Sequence, residues 1–493
     1  MRMTLEQVME VLPGARAVGV IPPPDQPVVI DRIAARADDC GPGAVFICVP
    51  GISFDGHDFA QDAVAHGASA LIVEHELPVG APQVVVGDAR LAVALTAGAL
   101  EGHPARTVRT VGVTGTNGKT TCAYLLRAVL GASNTSAGLI STVEVIVGNR
   151  SEPATHTTPD PAMLQHLLAR MRDAGDRACA MEVSSHALVQ RRVAGIPFAA
   201  ALFTNLTQDH LDFHADMESY FQAKRSLFSR APEDGPDPPG AANVDDPWGA
   251  RLVAELGLLG YGLGDRADIR PTHFRQTASG TWAAITTPRG PFEISSHLRG
   301  DFNLLNILGV VAVGELLELA HDQIARGIGE LAGVPGRLEP IVGGQPFQVL
   351  VDYAHTPDAL ANVLKTVRGL AEDHRVIVVF GCGGDRDRGK RPLMGYIAAH
   401  LADVGIVTSD NPRSEDPDTI IDEIVVDAGD ARGRLRIEPD RRAAIAGAIA
   451  LAEPGDVVLI AGKGHERGQE IAGRVRPFDD RDVARAVLRG RGE

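Results

Sequence analysis

The sequence lacks the features that mark membrane-spanning and secreted proteins. Among its 493 residues no stretch approaches the roughly 20 uninterrupted apolar residues that a transmembrane helix needs. The N-terminal stretch MRMTLEQVMEVLPGARAVG contains no apolar signal core. The five cysteines include no CxxC pair, which favours reduced thiols. We therefore expect a cytoplasmic protein with no membrane span.

The shortage of positive charge limits the kinds of molecule that the protein can bind. The net charge of −16 argues against general nucleic-acid binding, because phosphate backbones demand a basic surface. Local arginines and lysines could still hold anionic substrates. Aromatic residues make up only 4% of the chain and hydrophobic residues 44%, which fits a soluble α/β protein. The length predicts about three domains rather than one core.

One glycine-rich stretch looks like a phosphate-binding loop but departs from the strict pattern. In GVTGTNGKTT (112–121), Val113 stands where that pattern requires glycine. The stretch follows a β-branched segment typical of a buried strand and precedes a helical pattern, so its N–H groups would meet an anion at a helix N-terminus. The alternative is an ordinary strand-to-helix turn. We predict a nucleotide site formed by Gly115, Thr116, Asn117, Gly118, Lys119, Thr120 and Thr121.

Strand and helix patterns alternate along the chain and divide it into three α/β units. Residues 1–104 form a small unit, 105–334 contain the phosphate loop, and 335–493 have the pattern of a parallel, Rossmann-like sheet with helices on both faces. Apolar strands run directly into polar loops bearing glycine or proline. Because ligands of open α/β sheets bind at those strand ends, we expect two of the units to face each other across a cleft.

Acidic and imidazole side chains follow two strands of the central unit. Glu182 and His186 follow one apolar segment, and Asp209 and His210 follow the next. By themselves such residues are as often turn or capping residues as ligands, but beside a phosphate loop they favour magnesium binding. Lys224, in SYFQAKRSLF, would by itself be a solvated helix lysine.

The order of nine short motifs matches a known family. They are TGTNGKTT, HTTPD, EVSSHAL, LTQDHLDFH, VPGRLE, DYAHTPDAL, GCGGDRDRGKRPLM, DNPR and GKGHE. Over about residues 30–480 the chain resembles the Mur ligases of peptidoglycan assembly, whose phosphate loop is TGTNGKT, which accounts for Val113. The resemblance implies a UDP-sugar-binding domain, a central ATP-binding P-loop domain and a C-terminal amino-acid-binding domain.

The resemblance also implies a reaction. ATP phosphorylates a substrate carboxylate, an amine attacks the acyl phosphate, and phosphate leaves as the amide forms. Cations must separate the carboxylate from the triphosphate. Lys119 and magnesium would supply them, with Thr120, Glu182, His210 and a carbamate formed from CO2 on Lys224 as metal ligands. Lys119, Glu182, His210 and Lys224 are thus the expected catalytic residues.

Two further sets of residues are carried over from the family. Asn306 would lie near the adenine, while Arg337 and Asp352 would reach ATP from the third domain when the domains close. By themselves Asn306 would be a helix hydrogen-bonder and Arg337 a surface arginine. The UDP-muropeptide would be bound by Ser53, Thr157, Thr158, Ser184, Gln190 and Arg192.

The stretch SDNPRSEDP bears on the amino acid that is added. Meso-diaminopimelate differs from L-lysine by a distal carboxylate, which an arginine can hold through two hydrogen bonds. We expect Arg413 to bind one carboxylate and Arg386 the other. The predicted diaminopimelate site consists of Arg386, Asp410, Asn411, Pro412, Arg413, Gly462 and Glu466, the last of which could accept the distal ammonium. Without its neighbours, Asp-Asn-Pro-Arg would be a simple turn.

The sequence departs from the family pattern in two places, and other classes remain to be tested. The usual Asp-Ser-Arg near the N-terminus is absent, and His156 stands where many relatives have asparagine. A P-loop switch or transport ATPase would not need DNPR and GKGHE, and a folylpolyglutamate synthetase does not include the diaminopimelate-type DNPR. A non-catalytic muropeptide-binding module would not need the full catalytic set. We expect a monomeric ligase adding meso-diaminopimelate to UDP-N-acetylmuramoyl-L-alanyl-D-glutamate.

Overall fold

The N-terminal region is a small mixed sheet with short helices. A computed structural model describes residues 1–19, 25–51, 54–232, 235–277 and 279–490. Strands β4 to β7 are parallel, β2 is antiparallel to β7, and the sheet order is β2-β7-β6-β5-β4. The elements are β1 (Met3–Thr4), α1 (Leu5–Glu10), β2 (Arg16–Val18), β3 (Val29–Ile30), β4 (Arg32–Ala34), β5 (Ala44–Ile47), α2 (Ala60–Ala65), β6 (Ala70–Val73), β7 (Gln83–Val85) and α3 (Ala89–Leu100).

The central region contains an eight-stranded sheet, in the order β11-β10-β9-β12-β8-β13-β14-β15. Strands β9, β12, β8, β13, β14 and β15 are parallel, β10 is antiparallel to β9 and β11, and the central strands β12, β8 and β13 are buried on both faces, as their continuous apolar sequences predict. The elements are β8 (Arg109–Thr114), α4 (Lys119–Ala132), β9 (Ala137–Ile140), β10 (Glu144–Val147), β11 (Arg150–Pro153), α5 (Pro161–Asp173), β12 (Ala178–Glu182), α6 (Ser185–Val189), β13 (Phe198–Phe203), α7 (Met217–Arg225), β14 (Gly240–Asn243), α8 (Pro247–Leu256) and β15 (Leu259–Tyr261).

A separate antiparallel sheet follows in the central region. Its order is β16-β17-β18, and its inner side packs on the same core as the helices that follow. Neither this sheet nor the β10–β11 hairpin was predicted from the sequence. The elements are β16 (Arg270–Thr277), β17 (Gly280–Thr286), β18 (Phe292–Ser296), α9 (Asp301–Leu316) and α10 (His321–Glu330).

The C-terminal region is a six-stranded sheet with a core on each face. Strands β20 to β24 are parallel, β19 is antiparallel to β20, and the order is β19-β20-β24-β21-β22-β23. The elements are β19 (Glu339–Pro340), β20 (Gln348–Asp352), α11 (Pro357–Ala371), β21 (Val376–Phe380), α12 (Lys390–Leu401), β22 (Val404–Val407), α13 (Pro417–Val425), β23 (Leu435–Ile437), α14 (Arg441–Leu451), β24 (Val457–Ala461), β25 (Gly468–Ile471), β26 (Arg474–Pro477) and α15 (Asp480–Gly490).

The predicted α/β fold class is confirmed, and hydrogen bonds join the central and C-terminal regions. Asn117 Nδ2 donates to Asp358 Oδ2 at 3.0 Å, and Arg337 Nη2 donates to Thr120 Oγ1 at 3.0 Å. The carboxyl ends of the two parallel sheets therefore face a common cleft, as the strand-end loops predicted. Within the described ranges no helix combines the length and apolar character needed to cross a membrane.

Candidate active site

The glycine-rich loop between β8 and α4 is shaped by two glycines with positive φ. Gly115 has φ 144°, and a Cβ there would lie 1.9 Å from Thr204 Oγ1. Gly118 has φ 86°, and a Cβ there would lie 2.3 Å from Asn306 Oδ1. Only glycine fits either position. The loop therefore wraps tightly against β13 and α9, which places Asn306 directly beside it.

Lys119 begins α4 and folds back over the loop. Its Nζ donates to the carbonyls of Gly115 at 2.9 Å and Thr116 at 2.7 Å. Burial lowers the pKa of Lys119, an effect opposed by the charges of Glu182 and Asp209. Phosphate oxygens are stronger partners for an ammonium than these carbonyls, so an anion in the loop would draw Lys119 outward.

Lys224 on α7 is buried, so its interpretation as a solvated helix lysine is wrong. The residue is 1% exposed, its Nζ donates to the Gly115 carbonyl at 2.7 Å, and it lies 4.6 Å from the centre of the Tyr220 ring. Burial, reinforced by the nearby charge of Lys119, lowers the pKa of Lys224 well below its usual value. Burial thus favours the uncharged form of this amine, which is the nucleophilic form.

The predicted metal ligands lie around this loop, on three neighbouring strand ends. Glu182 is fully buried at the end of β12, where Thr142 donates to it from its backbone N at 2.8 Å and its hydroxyl at 3.1 Å. His210 has φ 55°, an unusual conformation for a residue other than glycine. Burial lowers its pKa to about 4, so its imidazole is neutral and able to bind a metal.

The side chains fit magnesium only if phosphate completes its coordination. In the parts of the chain that the structure describes, no group of three or more His, Cys, Asp or Glu side chains could hold a metal alone. Magnesium typically binds one or two carboxylates together with substrate phosphates and waters. The Thr120 hydroxyl, which accepts a hydrogen bond from Arg337, lies within this set.

A cavity of about 420 Å3 lies in the cleft between the central and C-terminal regions. The Arg337 guanidinium stacks 4.4 Å from the centre of the Tyr353 ring. Asp352 accepts from the backbone N–H groups of Leu338 at 2.7 Å and Ala354 at 2.8 Å, and burial raises its pKa. The lining includes the predicted nucleotide residues Thr116, Asn117, Gly118, Lys119, Thr120, Thr121, Asn306, Arg337 and Asp352.

The residues predicted to bind the UDP-muropeptide form one network, with one exception. Thr157 accepts from the Thr142 hydroxyl at 3.0 Å, and Thr158 donates to the Glu182 carbonyl at 2.8 Å and accepts from the Ser184 backbone N at 3.1 Å. The Arg192 side chain then joins the carbonyl of Thr158 (2.7 Å) to the side chain of Gln190 (2.7 Å). Ser53 lies outside the described residues.

Arg413 in the DNPR loop is held by its backbone. It has φ 54°, its N donates to the Glu470 carbonyl at 3.0 Å, and its own carbonyl accepts from Ala472 at 2.7 Å. Its Nη1 donates to the Gly384 carbonyl at 2.6 Å, which brings the guanidinium to the loop after β21. The exposed Arg386 belongs to this same loop, and the Pro412 carbonyl packs against Gly384. Both predicted carboxylate-binding arginines therefore border one surface.

Asp410, Asn411 and Glu466 are joined by a residue that the sequence analysis passed over. Lys463 Nζ lies 2.9 Å from Asn411 Oδ1, 3.0 Å from Glu466 Oε2 and 3.5 Å from Asp410 Oδ1. Gly462 lies directly behind Asp410, since a Cβ there would be 2.8 Å from Oδ2. The DNPR and GKGHE loops thus form a single polar cluster at the ends of β22 and β24.

Two other side chains near the cleft had no predicted role. Asp358, which bonds Asn117, and Tyr353, which stacks on Arg337, both belong to the motif DYAHTPDAL. Asp209, a candidate for magnesium binding from its position after a strand, lies beside His210; burial would raise its pKa, but interactions with His210, His355, Lys390 and Lys119 lower it. The only sequence signal for these residues was their position in motifs that follow strands.

Three family descriptions cover most of the chain. The "Mur ligase family, catalytic domain" matches residues 29–103, the "Mur ligase middle domain" matches 113–314, and the "Mur ligase, glutamate ligase domain" matches 336–464. The matches begin and end near the boundaries between the N-terminal, central and C-terminal regions described above. The residues outside them are the two ends of the chain and the segments 104–112 and 315–335.

Individual relatives are similar over almost their full lengths. A UDP-N-acetylmuramoyl-L-alanyl-D-glutamate--2,6-diaminopimelate ligase of Geobacillus kaustophilus is 46% identical, covering 91% of this chain and 93% of that protein. The Geobacter metallireducens protein of the same name is 42% identical, covering 99% and 98%. A solved structure of a ligase of that name superposes with a TM-score of 0.68 at 30% identity, covering 100% of both chains.

Proposed function

Because this chain belongs to the Mur ligase family, we propose that it is the cytoplasmic ligase that joins meso-diaminopimelate to UDP-N-acetylmuramoyl-L-alanyl-D-glutamate at the expense of ATP. Its relatives carry that activity in their names. The observation that carries the proposal is the shared cleft, in which the phosphate loop of the central region meets Arg337 of the C-terminal region. The proposed domains are 1–104, 105–334 and 335–493, and the proposed state is a monomer.

The reaction places like charges together, and the site supplies cations between them. The glutamate carboxylate of the muropeptide attacks the γ-phosphate of ATP to give an acyl phosphate and ADP. The amine of diaminopimelate then attacks the acyl carbon, and phosphate leaves as the amide forms. Lys119 moves from the loop carbonyls to the phosphates, and Arg337 adds positive charge from the C-terminal side. Asn306, beside the loop, is the proposed adenine contact, and Asp352 is proposed to reach ATP from the C-terminal region.

Magnesium would be held by Thr120, Glu182, His210 and a modified Lys224. When bound, it would neutralise phosphate charge and orient the reacting oxygens. Burial lowers the pKa of Lys224 and so favours loss of a proton from its ammonium; the resulting amine would add to CO2 and lose a second proton, so that an anionic oxygen donor replaces a cation. The neutral imidazole of His210 and the buried carboxylate of Glu182 support this assignment.

The muropeptide would lie along the network that connects β12 to α6. Thr157, Thr158 and Ser184 lie beside Glu182, so a substrate bound there ends next to the proposed metal. Arg192, half-buried and oriented by Gln190, supplies the positive charge for an acidic peptide. Ser53 and the N-terminal sheet would hold the uridine diphosphate.

Diaminopimelate would lie on the C-terminal cluster. Arg413 binds the distal carboxylate, Arg386 approaches the other carboxylate, and Glu466 accepts the distal ammonium. L-Lysine lacks that carboxylate and would leave Arg413 with only Glu470, 3.6 Å away, as an ionic partner among the described residues, at a cost of about 2–5 kcal/mol. We therefore expect a strong preference for diaminopimelate.

Phosphate release in defined mixtures tests the proposal. ATP, UDP-N-acetylmuramoyl-L-alanyl-D-glutamate and diaminopimelate together should give sustained release of phosphate and a new amide detected by mass spectrometry. Omission of any one of the three should abolish it. Release from ATP alone would indicate a switch or transport ATPase, whereas activity with a folate substrate and glutamate would indicate a folylpolyglutamate synthetase.

A further inference from the structure

Lys463 is buried in the loop that follows β24 and bonds to two loops at once. It is 0% exposed, and its Nζ lies 2.9 Å from Asn411 Oδ1 and 3.0 Å from Glu466 Oε2. A long, flexible side chain held without solvent contact loses much conformational freedom, so several good bonds are needed to fix it. The ammonium of Lys463 therefore bridges the DNPR and GKGHE loops in a fixed position.

The two carboxylate oxygens of Glu466 differ in the hydrogen bonds that they accept. Oε2 accepts from Lys463 and from Asn411 Nδ2 at 2.9 Å. In the described part of the chain, Oε1 accepts no hydrogen bond, and the side chain is 31% exposed. Asn411 is itself fixed in place, because its Oδ1 accepts from Lys463 and from the Glu470 backbone N at 3.0 Å. One oxygen is anchored and the other is free for a ligand.

The charges near Glu466 favour a cationic ligand group. Arg441 and Asp480 form a fully buried pair with distances of 2.8 and 2.7 Å, which is neutral as a unit. Lys463 then faces two carboxylates, Asp410 and Glu466, so the cluster has a net charge of −1. Burial would raise the pKa of Asp410, but Lys463 and the other cations lower it, which keeps this carboxyl ionised.

We propose that Lys463 is a positioning residue for the amino-acid substrate: it anchors Glu466 through Oε2 so that Oε1 receives the distal ammonium of diaminopimelate. The inference rests on the proposed function. Two charged groups of the substrate are then recognised separately in the same pocket. Lys463 acts on the distal ammonium through Glu466, whereas Arg413 binds the distal carboxylate. Loss of Lys463 should therefore weaken every amino acid that carries a distal ammonium.

A double-mutant cycle tests whether Lys463 acts through Glu466. Lys463→Met should raise KM for diaminopimelate about 10- to 100-fold, the loss expected for hydrogen bonds to a charged group, and leave KM for ATP unchanged. In the Glu466→Gln background, the same change should have little further effect. Lys365→Met, at an exposed position on α11, is the matched control and should behave as wild type.

The ratio of kcat/KM for diaminopimelate over L-lysine separates positioning from general damage to the loops. It should stay within about threefold of the wild-type ratio in Lys463→Met, whereas Arg413→Ala should reduce it strongly. Additive effects in the cycle, or a collapsed ratio in Lys463→Met, would overturn this inference and leave the proposed function intact. A wild-type protein without diaminopimelate-dependent turnover would overturn both.

Discussion

The lysines of the two half-sites are held in opposite ways. In the central region Lys119 and Lys224 donate to backbone carbonyls, and neither forms an ion pair within the described residues. In the C-terminal region Lys463 contacts the carboxylates of Glu466 and Asp410. Burial lowers the pKa of both central lysines. The two central lysines thus have no carboxylate in direct contact within the described residues, whereas Lys463 contacts two.

The difference indicates which kind of ligand each half-site would bind. Buried cations without anionic partners are costly, and the cost is relieved when an anion arrives. In the proposed reaction, the phosphates of ATP would pair with Lys119, and a carbamate formed from CO2 would replace the positive charge of Lys224. The C-terminal cluster needs only a ligand that matches a preset arrangement of charges. Chemistry therefore depends on the first region, and the choice of amino acid on the second.

The largest effect should come from removing the cation of the phosphate loop. Lys119→Ala should lower kcat by about 100- to 1,000-fold or more, as expected for loss of a preorganised charge at the transferred phosphoryl group. The fold should persist, because Lys119 bonds only to carbonyls of its own loop. Phosphate release and thermal unfolding check both points. Near-normal turnover by a folded variant would contradict the assignment of the loop.

Lys224→Ala tests whether the buried amine works as a carbamate. The variant should be nearly inactive, and acetate or another short carboxylate should restore part of the activity by supplying the missing oxygen donor. Lys224→Arg should stay inactive, since a guanidinium cannot form a carbamate and keeps its charge. Turnover is measured against carboxylate concentration. An active arginine variant would show that positive charge alone is needed.

Arg413→Ala should break the preference of the C-terminal half-site while sparing the central one. The ratio of kcat/KM for diaminopimelate over L-lysine should fall by about 30-fold or more, which corresponds to at least 2 kcal/mol. KM for ATP should not change, because the phosphate loop does not contact Arg413. An unaltered ratio would show that another side chain recognises the distal carboxylate.

Acid should act on His214 of the central region and Glu415 of the C-terminal region in different pH ranges, with the smallest effect. Burial lowers the pKa of His214 to about 4, so the unfolded chain binds more protons between pH 6.5 and 4, and stability falls as pH falls through that range. Hydrogen bonds from Arg391 lower the pKa of Glu415 to about 2. The stability that this carboxylate contributes is therefore lost only as the pH falls from about 4.5 to 2.

His214→Gln and Glu415→Gln separate these two ranges. In His214→Gln, the stability lost between pH 6.5 and 4 should be about 2 kcal/mol smaller than in the wild type. Glu415→Gln should change the stability only below about pH 4.5. Both tryptophans, Trp248 and Trp282, lie in the central region, so their fluorescence reports its unfolding. Circular dichroism follows the whole chain. Identical pH profiles for wild type and His214→Gln would contradict the burial argument.

Much of the fold follows from the sequence because the parallel strands are apolar throughout. The buried segments ending at Thr114, Glu182 and Asp352 were predicted as strands, and the polar residues after them were expected to share an edge. The β16–β18 sheet was missed because β16 is largely exposed and mixes arginine, glutamine and threonine. Its register depends on neighbours that one sequence does not show.

The site was less predictable, because burial is a tertiary property. Local sequence favoured a solvated Lys224, and only the packing of α7 on the phosphate loop buries it. Lys463 was overlooked within GKGHE because a lysine between two glycines has no local signal for burial, and two of its three partners, Asp410 and Asn411, lie more than 50 residues away. The positive φ of His210 and Arg413 likewise depends on contacts between loops.

Transfer of oxygen from substrate to phosphate tests the account most directly. UDP-N-acetylmuramoyl-L-alanyl-D-glutamate labelled with 18O in its glutamate carboxylates would be incubated with ATP, meso-diaminopimelate and the enzyme, and the released phosphate analysed by mass spectrometry. If the carboxylate is phosphorylated before the amine attacks, each phosphate should carry one 18O atom. Release of unlabelled phosphate would show that water attacks ATP, and would contradict the proposed ligase.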